Sequence, residues 1–280
     1  MKKLPIPLRN QLLLLVISSI LIVLGYQLAD KPIVFWAEAN NFRQYSALIW
    51  FTHFSPILVA CSFVLYPLLL IRFFYYNRGY HDYMLLAFAN SIAITAFLKD
   101  FLKQIFGRSW PATWTNYNLS LLHDGSYGFN WLHGNEQYAS FPSGHVAIIV
   151  AAMTIIWLTY PRLRWLAALL SIGMVIAQVT LYYHFLSDAI AGATLGYLVA
   201  RNVIFVSEIK VAQLSKSERD FGINAPKELP EIYAAIESTK VSSRKHYQAL
   251  PSDLRNNFTP LNHQKRWSNF MYTKFSSFDN

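Results

Sequence analysis

A chain of 280 residues that is 54% hydrophobic and only 14% charged falls well below the charged fraction of a soluble domain, roughly a quarter, which excludes an ordinary water-soluble enzyme. The formal charge of +9 does not point to nucleic acid, because 12 of the 24 Lys and Arg residues lie in 201–280 among eight acids, a solvated mixture rather than a basic recognition stripe. The single cysteine, Cys61, excludes an intramolecular disulfide.

Crossing ~30 Å of hydrocarbon takes about 20 apolar residues at 1.5 Å each, and the sequence predicts six such spans. The first, 11–29, contains an uncharged LLLLVISSILIVLG run. Lys2, Lys3 and Arg9 before it look like the front of a signal peptide, but the run outlasts a signal's apolar core and a poor cleavage site follows, so it is read as an uncleaved span. The others are 57–74, 84–98, 146–160, 165–183 and 189–206. The predicted fold is therefore all-α: a six-transmembrane-helix bundle over 1–206, with a long outer loop between helices three and four. A polar tail over 207–280 is expected to be cytoplasmic and partly disordered, with one helix near 228–238.

Lys and Arg in short loops favour the cytoplasmic side. Lys2, Lys3 and Arg9, then Arg72 and Arg78, then Arg162 and Arg164, then Arg201 all fall on one face in an alternating assignment. The opposite face receives 30–56, the aromatic and Gly-rich segment 107–141, and the turn around 183–188. Both termini are thus expected inside, and the expected setting is a bacterial inner membrane with the outer face periplasmic.

Ionisable residues at a membrane boundary are functional candidates by default, and three groups converge on that outer face. Lys99, Asp100, Lys103 and Arg108 follow the third span; Pro142, Ser143, Gly144 and His145 open the fourth; His184 and Asp188 separate the fifth from the sixth. Ser143 can cap the helix that follows, and Gly144 permits close approach to an anion held by free helix N–H groups. A plain serine cap fits that tetrapeptide equally well, and His145 favours the anion site. His184 and Asp188, four apart, share a helical face, so the carboxylate can orient one imidazole nitrogen and leave the other as nucleophile or base. Lys103 and Arg108 supply the fixed positive charge that phosphoryl transfer needs, or else snorkel to headgroups as ordinary helix-end cations.

In this order the pieces resemble the type 2 phosphatidic acid phosphatase superfamily, whose motifs run Lys-x6-Arg-Pro, Pro-Ser-Gly-His and Ser-Arg-x5-His-x3-Asp. The middle motif, 142–145, matches in full. The first aligns on Lys103, Trp110 and Pro111, and the third on Ala177, Gln178, His184 and Asp188, so Trp110 and Gln178 stand where the family has arginines. The resemblance covers about 99–200 and implies a metal-independent, cofactor-free lipid phosphatase. His184 is the implied nucleophile, Asp188 its orienting carboxylate and His145 the general acid, with Lys103, Arg108, Ser143 and Gly144 binding the phosphoryl oxygens. The implied partners are a lipid phosphate substrate and membrane lipids, with no nucleic acid; nothing in the sequence sets an oligomeric state.

Transfer to an alcohol acceptor through the same covalent step is the main enzymatic alternative. A transporter or scaffold is a third reading, which the rim position of the ionisable groups disfavours. His53, His81, His123 and His133 lack metal-type spacing and are read as structural or headgroup-contacting, and Tyr127, Trp131 and Tyr138 as interfacial anchors.

Overall fold

The computed structural model describes residues 8–75, 79–114, 117–133 and 135–220, with 210–220 as backbone alone. The chain divides into two compact units, 3–214 and 215–280. The first is described below; of the second only helical backbone to Asp220 is described, and the helix predicted near 228 lies outside the described residues.

Among the described residues five helices are long and apolar enough to cross a membrane: α1 (Leu8–Ala39), α2 (Ser46–Tyr75), α3 (Tyr80–Phe106), α5 (Pro161–Thr180) and α6, whose apolar stretch is Leu186–Ile209 within a helix that continues to Asp220. A further apolar helix, α4 (Gly144–Thr159), has 16 residues and lies between α3 and α5 in the chain. Leu12, Leu13, Val16, Ile17 and Ile20 of α1 are about half exposed or more, as are Phe63, Phe74, Phe97 and Ile172 on other helices. So large an outward apolar surface is stable only where lipid is the solvent, and the chain is a multi-pass membrane protein.

α1 continues past the predicted end at 29. Asp30, Lys31 and Pro32 read as a helix stop, but a π-helical turn over Gly25–Ala29 precedes them and the Asp30 N–H bonds back to Gly25 O. Pro32 then falls in the first turn of the resumed α-segment Asp30–Ala39, where its missing N–H is no loss. The same bulge turns Asp30 fully inward. α2 likewise begins before the predicted 57, so most of 30–56, expected as a connection, is helical.

α4 is the centre of the bundle. Val146, Ile148, Ile149, Ala152 and Met153 are buried against Ile92 of α3, Ala167 and Met174 of α5 and Ala189 of α6. The α6 backbone approaches α4 so closely that a Cβ on Gly192 would sit 2.4 Å from Ser143 O, and one on Gly196 2.2 Å from Ala147 O. Glycine at both positions is what lets α6 seat, and with it the Asp188 side chain.

Between α3 and α4, the described residues of the connecting segment fold back on themselves. Asn130 N–H bonds Gly107 O, Ser109 N–H bonds Gly128 O and Ser140 N–H bonds Arg108 O; a single helical turn, Leu121–Asp124, interrupts them. Phe106, Phe129 and Phe141 pack together, with ring centroids 4.8 Å apart for Phe106 and Phe141. Tyr127 stacks on Tyr26 of α1 at 4.7 Å.

Candidate active site

Three segments meet around one cavity of about 260 Å³. The end of α3 brings Lys103, the start of α4 brings His145, and the turn between α5 and α6 brings His184; all three line the cavity. That turn, 181–185, is built on the Gln178 carbonyl, which accepts from both Tyr183 N–H and His184 N–H at 3.0 Å. Tyr182 in its middle holds φ at +44°, a left-handed conformation rare outside glycine that tends to persist where its surroundings enforce it.

His184 is 3% exposed. Its Nδ1 lies 3.6 Å from Asp188 Oδ2, beyond hydrogen-bond length. Ser140 fills the gap: its hydroxyl donates to the same Asp188 oxygen at 2.6 Å and stands 3.5 Å from Nδ1. Phe185 N–H also donates to Oδ2, at 3.0 Å. Burial pushes the His184 pKa below the ordinary imidazole value, and the facing Asp188 carboxylate opposes that shift without overcoming it. The imidazole is thus neutral near pH 7, the form that can attack an electrophile.

Behind Asp188 is a fully buried ionic network. Arg108, 0% exposed, donates to Asp188 Oδ1, to Ser187 Oγ at 2.7 Å and to Asp30 Oδ2 at 2.7 Å. Asp30 also accepts from Ser187 N–H at 2.9 Å and from the Ser187 hydroxyl at 2.5 Å, while Tyr127 O–H lies 3.3 Å away. Burial works against the charge on Arg108, but Asp188 and Asp30 hold its pKa above the usual guanidinium value. The rings of Tyr26, Phe129 and Phe185 enclose the guanidinium.

Of the residues proposed from sequence, His145, His184 and Lys103 line the cavity and Asp188 stands directly behind His184. Arg108 does not line it: its terminal nitrogens are taken up by Asp30, Ser187 and Asp188, so in this structure it faces the carboxylates and not the space a phosphoryl group could occupy. Ser143 and Gly144 are buried and are not among the lining residues. The Ser143 side chain makes no cap bond, contrary to the simple cap reading, and its hydroxyl has no partner; its N–H bonds Asp188 O at 3.0 Å, which ties the α4 start to α6. His133 is exposed, with Nδ1 2.8 Å from Trp131 O. Among the described residues no group of three or more His, Cys, Asp or Glu could hold a metal ion.

Sequence reasoning missed Asp30 and Ser140. Asp30 sits at the end of an apolar run, where an ionisable residue is itself a signal, but its partners are 78 and 157 positions away. Trp110 and Gln178 both line the cavity. The Trp110 ring lies 5.3 Å from the His184 ring, with Lys103 Nζ 5.7 Å from its centroid. Trp114, also lining, packs on Tyr183 at 4.2 Å and carries Arg43 over its face at 3.6 Å.

Residues 84–209 match the sequence model of the PAP2 superfamily. This segment belongs to that superfamily. It holds every site residue proposed from sequence; Asp30, Tyr26 and the π-turn of α1 lie outside it. Curated relatives of this chain include "Lipid A 1-phosphatase" of Rhizobium etli, 30% identical over 108 residues, 38% of this chain and 43% of that one. The protein of the same name from Rhizobium johnstonii is also 30% identical over 108 residues, 41% of its length. "Probable lipid phosphate phosphatase 4" of Arabidopsis thaliana is 28% identical over 181 residues, 54% of this chain and 55% of that one. The chain thus spans about two-fifths to just over half of the length of these relatives. Among solved structures, a transmembrane PAP2-type phosphatidylglycerolphosphate phosphatase from Bacillus subtilis aligns with TM-score 0.41 and 21% identity, covering 71% of this chain and 96% of that one.

Proposed function

We propose that this chain is an integral membrane phosphatase that hydrolyses a lipid phosphate or pyrophosphate monoester through a phosphohistidine on His184. The observation that carries the reading is the meeting of His145, His184 and Lys103 on one small cavity, with Asp188 fixed behind His184. Membership of residues 84–209 in the PAP2 superfamily supports it.

In the proposed sequence of steps, the His184 Nε2 lone pair attacks phosphorus while the ester P–O bond breaks. The bonding pair leaves with the lipid oxygen, which takes a proton from His145, a role worth about 10²–10⁴ in rate. Lys103 offsets the charge that builds on the phosphoryl oxygens. Water then attacks the phosphohistidine, His145 accepts its proton, the P–N bond breaks and inorganic phosphate leaves. Asp188 holds the Nδ1 side of the ring and stabilises the cationic imidazole of the intermediate. No metal or cofactor takes part. We place α4 as a sixth span: at 1.5 Å per residue its 16 residues reach about 24 Å, and the segments flanking it cover the rest. The site then opens toward the periplasmic face of a bacterial inner membrane, with both termini cytoplasmic.

The test is phosphate release by the purified full chain in detergent from phosphatidic acid, phosphatidylglycerol phosphate, a prenyl pyrophosphate and a sugar-lipid phosphate. Each is assayed with and without an acceptor lipid bearing a free hydroxyl. Release without acceptor that vanishes in His184→Ala is expected. Product formed only when acceptor is present makes the chain a phosphotransferase, and full release by His184→Ala removes the proposed nucleophile.

A further inference from the structure

The connection between α1 and α2 places a cation behind the cavity wall. Asn41 turns the chain after α1 with φ at +49°, a left-handed conformation that asparagine adopts more readily than most residues. A single 3-10 turn over Phe42–Gln44 follows, braced by Phe42 against Trp36 at 5.0 Å and Tyr45 at 5.8 Å. Arg43, in the middle of that turn, is half-buried. Its guanidinium carbon lies 3.6 Å from the Trp114 ring centroid and 4.1 Å from that of Tyr182, and the two rings stack on each other at 6.3 Å. A planar guanidinium can lie against two ring faces at once, which a point-like ammonium cannot.

Stability alone does not account for this placement. Arg43 Nε and Nη2 are buried without a hydrogen-bond partner. Burial pushes the Arg43 pKa below the ordinary guanidinium value, and neither the neighbouring tyrosines nor Glu38 makes up the difference. Buried polar groups left unpaired call for an explanation, since a methionine of similar reach carries no such nitrogens. The two rings that Arg43 touches supply one. Trp114 lines the cavity. Tyr182 sits in the middle of the turn that carries His184 and holds φ at +44°, a conformation an aromatic residue keeps only where its contacts enforce it. The Tyr182 ring also shares a buried cluster with Val34 and Ala37 of α1, so its setting depends on residues outside 84–209.

We infer that Arg43 is a positioning residue for the proposed nucleophile: its guanidinium ties Trp114 to Tyr182 and so keeps the 181–185 turn in the strained form that presents His184 to the cavity. Arg43 is not among the residues that line the cavity. It acts through the turn and not on the phosphoryl group, and does not stand in for the arginines absent at Trp110 and Gln178. Without it the turn relaxes at Tyr182, and a displacement near 1 Å at a reacting group costs about 10²-fold.

The inference rests on the phosphatase reading, and the experiment separates the two. The purified full chain and its variants are assayed in one detergent on whichever of the four lipids named above releases phosphate fastest. Arg43→Met is expected to lower kcat at least tenfold with KM within about threefold, and Arg43→Lys, which keeps the charge, to recover part of the loss. Glycine adopts a positive φ without strain, so in a Tyr182→Gly background, where the turn no longer needs holding, Arg43→Met is expected to cost less than threefold. Amide hydrogen exchange across 181–185 gives a readout that needs no activity: the Tyr183 and His184 N–H groups bond Gln178 O, and their exchange is expected to be at least tenfold faster in Arg43→Met. Should Tyr182→Gly fail to fold, the Met and Lys variants and the exchange decide. Wild-type kcat in Arg43→Met, a raised KM with kcat unchanged, the full loss carried into the Tyr182→Gly background, or unchanged exchange overturns the inference and leaves the phosphatase reading intact. No release by the unaltered chain from any of the four lipids overturns the phosphatase reading, and exchange alone then decides whether Arg43 holds the turn.

Discussion

Replacing Asp30 with alanine should cripple turnover although Asp30 touches no part of the cavity. The side chain is fully buried and holds Arg108 Nη2 at 2.7 Å, Ser187 N at 2.9 Å and Ser187 Oγ at 2.5 Å. Its removal leaves one end of a buried guanidinium and one backbone N–H unpaired. Breaking a buried ion pair from one side costs about 3–5 kcal/mol, against a total stability of roughly 5–15 kcal/mol, so the variant should fold but melt earlier. Arg108 would lean further onto Asp188, the other carboxylate it contacts, and Asp188 sets the His184 ring. A displacement near 1 Å at a reacting group costs about 10²-fold. The expected result is a kcat about 10²-fold lower with KM within about threefold, and a clearly lower melting temperature in detergent. Asp30→Glu, which keeps the charge, should restore part of the rate, and Asp30→Asn should lie between. Wild-type kcat in a folded Asp30→Ala protein would refute the chain of contacts from α1 to His184.

Ser140→Ala removes a 2.6 Å hydrogen bond to Asp188; bonds to charged groups are worth about 1.5–3 kcal/mol, so kcat should fall roughly 10- to 100-fold, checked by steady-state assay beside a melt. Because burial lowers the His184 pKa and the neutral ring is the attacking form, activity should persist as pH falls through about 6.5, the ordinary histidine value, and be lost only below it. Asp188→Asn removes the charge that raises that pKa, so its residual activity should show an acid limb displaced further down; a wild-type limb above 6.5 assigned to His184 would contradict this. Gly196→Val places a side chain where even a Cβ lies 2.2 Å from Ala147 O; α6 should fail to seat on α4, seen as aggregation or loss of a cooperative melt.

The membrane character was legible in the apolar runs, because lipid imposes a length and a composition that soluble packing does not. Helix ends were less so. Charges and Pro32 look like a stop, and nothing local announces the π-turn at Gly25 that carries α1 through them. The site followed the same division. His145, His184 and Asp188 announced themselves by chemistry and spacing, and Lys103 by its place at a span's end. Arg108 shows the limit of that reasoning: a cation two residues before the family's arginine reads as a phosphate ligand. It faces inward because Asp30, on a helix outside the PAP2 segment, supplies the second carboxylate that makes its burial tolerable. Ser140 carries no signal of its own; only the fold brings it between His184 and Asp188.

The covalent intermediate is the most direct test of the account. The purified chain is mixed with a lipid monoester carrying labelled phosphate, quenched within one turnover in alkali, and the labelled peptide sequenced. Acid-labile, alkali-stable label on the peptide containing His184, absent from His184→Ala, is expected. Label on another residue, or undiminished phosphate release without His184, would contradict it.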